Sequence, residues 1–179
     1  MKIIVYFLSG LLLILSAGGS LFAQNGEITI ILLRHAEKDV SSGANKADPN
    51  LTAEGRQRAE RLFETIKDYQ PDQIFSTIFK RAKETVTPLA VNLNADYRLQ
   101  IQFYDYTELE DFAKQLLNLK AKTVVVAGHN STTPELANLL IGQNKYQILG
   151  ESEYDKIWII KIKRKKGKPY NIEDKVIRY

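Results

Sequence analysis

"ITIILLRHAEKD", residues Ile28 to Asp39, begins as an unbroken aliphatic run and ends in Arg34, His35 and Glu37. The chain has only two histidines, and His35 is one of them. The other closes a run of the same kind, "TVVVAGHNSTTPEL", Thr123 to Leu136, where Gly128 and His129 follow the apolar residues. Continuous β-branched runs fit strands covered on both faces, as in a parallel sheet between helices. Ligands of such sheets bind beyond the carboxyl ends of the strands. Both histidines therefore belong at strand ends, and neighbouring strands would turn both imidazoles into one pocket.

Helical patterns separate the strands. After a cap at Thr52, the residues Ala59, Leu62, Phe63 and Ile66 follow helical spacing, while Arg58, Glu60, Arg61 and Glu64 face water. "DQIFS", Asp72 to Ser76, reads as a short strand. "KRAKETVTPLAVNL" reads as a helix that ends or kinks near Pro88. Thr107 with Glu110 forms a capping-box pattern ahead of Leu109, Phe112, Ala113 and Leu116. Thr133, Pro134 and Glu135 open another helix. "YDKIWIIKIK" and "DKVIRY" read as two late strands around a solvated basic turn, Lys161 to Lys168. Alternating strands and helices predict an α/β fold: a three-layer sandwich on a mostly parallel central sheet.

A third strand end adds to the pocket. Ser76 closes its strand, and Arg81 lies in the first turn of the next helix. A helix start attracts anions through free amides and its dipole. Arginine binds phosphate oxygens in pairs and stays charged. Two arginines, two histidines and a helix start describe a phosphate pocket, in which a neutral imidazole can attack phosphorus.

Composition narrows the chemistry. The absence of cysteine excludes disulfides, thiolate metal sites and a cysteine nucleophile. Lys2 is the sole charge before Glu27, Ile3 to Leu15 is almost wholly apolar, and "SAGGS" follows. That order is a secretory signal peptide, and its core is short for a membrane-spanning helix. We expect a signal peptide over 1–23, cut after Ala23, with Ser20 as the alternative, and a single domain over 24–179. Removing residues 1–23 takes away only Lys2, which leaves 24 basic and 21 acidic residues. A mild charge of +3 does not call for nucleic acid. The expectation is an exported protein, periplasmic or extracellular, without stable membrane association.

These residues resemble the histidine phosphatase superfamily, the phosphoglycerate-mutase-like enzymes, from Ile28 to Tyr179. The family's Arg-His-Gly at the end of its first strand matches Arg34, His35 and Ala36. Its second arginine matches Arg81, in a stretch with Ser76, Ala82 and Thr85. Its second histidine matches His129 after Gly128. "LTAEGRQRA" resembles its segment before the first long helix, and the "RHAEK", "GHNSTTP" and "EYDKIWI" forms resemble a small bacterial branch. The resemblance implies a phosphomonoesterase that forms a phosphohistidine and needs no cofactor or metal. Its substrates would be small phosphate esters or phosphohistidine. It implies His35 as nucleophile, with Arg34, Arg81 and His129 holding the phosphoryl oxygens. Lys38 and Asn130 join them as candidate substrate contacts.

The acid that protonates the leaving group is not evident, because Asn130 stands where some branches carry an acidic residue. Candidates are Asp105 and Glu108 in "FYDYTELED", and Glu37, which also suits orienting His35. One rival is a metal site of His35, Glu37 and His129, disfavoured by the charge of Arg34. Another is a binding domain of the same fold that captures phosphate or another anion without turnover. A phosphotransferase or mutase is a variant of the enzyme reading.

Overall fold

A computed structural model of the chain describes residues 26–93, 100–165 and 168–179. The expected signal segment lies outside the described residues. Six strands form one sheet in the order β3-β2-β4-β1-β5-β6. They are β1 (Gly26–Arg34), β2 (Gln73–Ser76), β3 (Ile101–Phe103), β4 (Thr123–Gly128), β5 (Lys156–Lys165) and β6 (Lys168–Arg178). The strands β3, β2, β4 and β1 run parallel, while β5 and β6 pair antiparallel at one edge. Among the described residues, four α-helices complete the fold: α1 (Ala53–Ile66), α2 (Lys80–Leu93), α3 (Leu109–Asn118) and α4 (Thr132–Ile141).

The aliphatic runs are continuous because both sheet faces are covered. Along β1, Ile28, Ile30 and Leu32 enter one core with α3 and α4, while Ile31 and Leu33 enter a second with α1 and α2. On β4, Val124 and Val126 take the first side and Val125 and Ala127 the second. Strand side chains alternate, so two cores demand an apolar residue at every position. Each such side chain, fully buried, stabilises the fold by about 1.5–3 kcal/mol. The three-layer sandwich on a mostly parallel sheet is the architecture the sequence implied.

Local chemistry corrects several boundaries. Thr52 caps α1 as expected, accepting from Gly55 N at 3.0 Å. Helix α2 continues through Pro88 to Leu93 and does not end there. The capping box at Thr107 is not formed: Glu108 is the N-cap of α3, and Thr107 instead bonds the Asp105 carboxylate. Helix α4 starts one residue early, at Thr132, so Thr133 lies inside it and donates to Leu33 O. The basic stretch is mostly strand, since Lys161–Lys165 belong to β5 and Lys168 opens β6. Within it Arg164 is buried and donates to the Leu117 and Leu119 carbonyls.

Candidate active site

The carboxyl ends of four parallel strands meet at one edge of the sheet. Arg34 pairs in register with Gly128, and Ser76 pairs with Ala127 and Phe103. The ladder runs one bond further, from His35 N to Gly128 O at 2.9 Å. His35 and His129 thus leave adjacent strands together, with ring centroids 5.4 Å apart. Gly128 must be glycine on packing grounds. A Cβ there would lie 2.8 Å from Thr133 Oγ1 and 2.9 Å from the Tyr104 hydroxyl.

His35 is 3% exposed, and its Nδ1 lies 2.7 Å from the Ala36 carbonyl. A carbonyl only accepts, so Nδ1 carries the hydrogen and Nε2 keeps its lone pair. Burial above all depresses the imidazolium form, to a pKa of about 3; the Ala36 bond opposes it, and His129, Arg34 and Arg81 add smaller lowering effects. His129 Nε2 lies 3.0 Å from Thr77 Oγ1, and its amide donates to Thr132 Oγ1. Burial and then Arg81, Arg34 and Lys38 lower its pKa to about 4. Both rings are neutral at ordinary pH, as a nitrogen nucleophile must be.

The arginines flank this pair. Arg34 is 1% exposed; its Nη1 donates to the carbonyls of Gly150, Glu151 and Glu153 at 2.8, 3.1 and 3.1 Å. Its guanidinium stacks on the Tyr154 ring at 4.0 Å. Arg81 stacks on Phe79 at 4.4 Å and lies 3.9 Å from Asp48. Among the described residues, Nε of both Arg34 and Arg81 is buried without an acceptor. Buried donors that lack partners cost about 1–3 kcal/mol each, which a bound oxyanion would recover. The start of α2 is not free for a ligand, because Asp48 Oδ1 already accepts from Lys80 N at 2.9 Å. Beside Lys38 and Arg81 opens a cavity of about 290 Å³, walled by residues between Asp39 and Pro49.

The remaining sequence candidates divide. Lys38 and Asn130 reach the pocket mouth, where both approach Glu151, Lys38 at 4.0 Å and Asn130 at 3.5 Å. Glu37 does not orient His35. Its carboxylate is clamped by Arg58 through Nε at 2.9 and 3.0 Å and Nη2 at 2.6 Å. Burial would raise the Glu37 carboxyl, but the Arg58 bonds hold it below the usual carboxylate range. Asp105 is exposed, and its Oδ1 accepts from Thr107 N and Oγ1 at 2.9 and 2.7 Å. Those bonds keep its carboxyl low as well, which suits a turn rather than an acid. Ser76 is fully buried and donates to Thr77 O. Sequence reasoning missed Thr77, Tyr154 and Glu151. Tyr154 stood within the quoted "EYDKIWI"; Glu151 lies in a loop with no periodicity to mark it.

The histidine phosphatase superfamily (branch 1) matches residues 30–112. The fold resembles the protein histidine phosphatase SixA complexed with tungstate, at TM-score 0.64 and 15% identity, covering 84% of this chain and 97% of that one. It also resembles a protein assigned as phosphohistidine phosphatase SixA from Agrobacterium tumefaciens, at TM-score 0.58 and 20% identity, covering 81% and 97%. A mycobacterial glucosyl-3-phosphoglycerate phosphatase superposes with TM-score 0.66 at 13% identity, covering 86% and 99%. No curated protein sequence matches the chain.

Proposed function

We propose, from the match of residues 30–112 to the histidine phosphatase superfamily (branch 1), that the chain is an exported phosphomonoesterase working through phosphohistidine at His35. Its substrates are small phosphate esters or phosphohistidine. One observation carries the reading: His35 Nδ1 is held on the Ala36 carbonyl, which leaves the Nε2 lone pair beside His129 and two arginines with unpartnered buried Nε. In the first step Nε2 forms the N–P bond while the bond from phosphorus to the leaving oxygen breaks. Arg34, Arg81 and His129 hold the non-bridging oxygens and stabilise their charge. In the second step water attacks phosphorus, phosphate leaves, and His35 regains its lone pair.

Turnover of p-nitrophenyl phosphate at acidic to neutral pH tests the activity. Acid-labile, base-stable label is expected on His35, and none in His35→Ala. Vanadate is expected to inhibit strongly, since it adopts the trigonal-bipyramidal geometry of the transition state. Binding of phosphate without turnover would instead establish a binding domain. Export rests on the apolar stretch Ile3 to Leu15 and the small residues after it. N-terminal sequencing should find a mature chain starting near Gln24, and Met1 retained on membrane-bound protein would overturn it.

A further inference from the structure

The phosphatase reading leaves the leaving-group proton without a donor. Glu37 is committed to Arg58 and Asp105 to Thr107. Among the described residues, Glu108 starts α3 with no side-chain cap bond and no ion pair to the pocket. Asp48, 3.9 Å from Arg81, is engaged by the Lys80 amide; among the described residues Glu151 is the carboxylate that reaches Arg34 and Lys38 together. Glu151 Oε2 lies 3.7 Å from Arg34 Nη2 and 4.0 Å from Lys38 Nζ. Its Oε1 lies 3.5 Å from Asn130 Nδ2. Those three neighbours come from the end of β1, the loop after it, and the turn after β4.

We propose that Glu151 is the general acid of this site, an inference that rests on the phosphatase reading. Its backbone is fixed and its head group is exposed, with long contacts only. Arg34 Nη1 gathers the carbonyls of Gly150, Glu151 and Glu153, and Glu153 Oε2 accepts from Gly150 N at 2.7 Å. The arginine that would hold the phosphoryl group therefore also positions the loop bearing the acid. The Glu151 side chain is 78% exposed, at the mouth of the pocket. His35, at 3% exposure, forms the floor. In-line attack from the floor sends the leaving oxygen toward the mouth.

Substrate binding frees the head group. Without substrate the Glu151 carboxylate lies against two cations. A phosphate seated on Arg34 and Lys38 takes those cations, which leaves the Glu151 carboxyl to face the leaving oxygen. As the P–O bond breaks, the Glu151 proton passes to the leaving oxygen. As water attacks phosphohistidine, the Glu151 carboxylate takes a proton from it, so the acid is restored and no proton is gained or lost.

The test is kcat/KM for a series of esters, from p-nitrophenyl through phenyl to an alkyl phosphate, in wild type, Glu151→Gln and Glu151→Asp. This ratio reports the step in which the leaving group departs. Glu151→Gln should lose about 10²-fold or more on the alkyl ester and only several-fold on the nitrophenyl ester, so dependence on the leaving group steepens. Glu151→Asp should recover part of the alkyl activity. An equal loss across the series would overturn the acid role in favour of a charge effect. A uniform gain would overturn it too, by making Glu151 a competitor for Arg34. A wild type inert to every ester, with no phosphohistidine, would instead fail the phosphatase reading itself.

Discussion

Arg34 and Gly128 are register partners across the β1–β4 ladder, so the residues that follow them, His35 and His129, leave the sheet side by side. The pocket is a consequence of pairing rather than of loop folding. Rigid, fully buried strands hold both rings, and catalytic geometry depends on that rigidity. The Ala36 bond also selects the ring nitrogen that the proposed chemistry would use. Because Nδ1 is engaged with Ala36 O, phosphate is expected on Nε2 of His35. Phosphorus NMR of the trapped intermediate distinguishes the two nitrogens, and an Nδ1 adduct would contradict the geometry.

Stability should depend on pH through these two rings. Their folded pKa values, about 3 and about 4, lie below the ordinary imidazole value of 6.5. Between those values the unfolded chain binds protons that the folded chain refuses, so stability rises with pH through that window. It is fully present above about pH 6.5 and is lost as pH falls. The slope contributed is up to about 1.4 kcal/mol per pH unit for each ring. Urea unfolding midpoints from pH 4 to 7 would measure it, and replacing both histidines by asparagine should flatten the curve.

The Glu37–Arg58 clamp ties the loop after β1 to α1 and to the Tyr179 carbonyl, which accepts from Arg58 Nη1 at 2.7 Å. Both side chains are largely buried, so removing one strands the other. Arg58→Ala should cost on the order of 3 kcal/mol. Glu37→Gln should lower activity on good and poor leaving groups alike, because it loosens the backbone that bears His35. Chemical denaturation and the two-substrate ratio check both statements. A loss confined to poor leaving groups would instead make Glu37 an acid.

Gly55 should not tolerate a side chain. A Cβ there would lie 2.4 Å from Glu37 O, which already accepts from Thr52 N at 2.8 Å. Backbone cannot yield as a flexible side chain does, so Gly55→Ala should destabilise by about 1–3 kcal/mol. Thermal unfolding measures it, and an unchanged midpoint would show that α1 can shift away from this loop.

The strands were legible because two buried faces write themselves as unbroken aliphatic runs. Arg34, His35 and His129 could be placed together from the sequence because they terminate those runs, and Arg81 because it lies in the first turn of the helix after β2. What escaped has a common cause. Thr107 resembled a helix cap, but Asp105 offered its hydroxyl a nearer acceptor. Pro88 resembled a helix end, yet Val86, Leu89 and Ala90 are buried around it, and that packing carries α2 past the missing amide. Glu151 and Asp48 act through long-range contacts made by loops, and loops carry no periodicity. The "EYDKIWI" stretch was visible, but nothing local says that Tyr154 lies beneath a guanidinium more than a hundred residues earlier in the chain.

Asp105→Asn should have small and equal effects on alkyl and nitrophenyl phosphates. Its carboxylate serves the Asp105–Thr107 turn, so the loss should appear in stability, at about 1 kcal/mol. Thermal unfolding beside kinetics on both substrates separates the outcomes. A selective loss on the alkyl ester would return Asp105 to the mechanism and remove Glu151 from it.

Tyr154 should matter for phosphate affinity through its ring rather than its hydroxyl. The Arg34 guanidinium lies 4.0 Å from the ring centroid, and burial disfavours the arginine's charge, which the aromatic face partly offsets. Tyr154→Phe keeps the face and should bind inorganic phosphate nearly as wild type does. Tyr154→Ala removes it and leaves Arg34 with the three carbonyls and the Glu151 carboxylate but no packing on its face. A desolvated cation–π contact contributes about 2 kcal/mol, so the phosphate inhibition constant should rise by roughly 10–30-fold. The kcat should change less, because His35, the proposed nucleophile, keeps its bond to Ala36. If Tyr154→Phe is as damaging as Tyr154→Ala, the hydroxyl rather than the stack is what the site uses, and the tyrosine then becomes a second proton donor to weigh against Glu151.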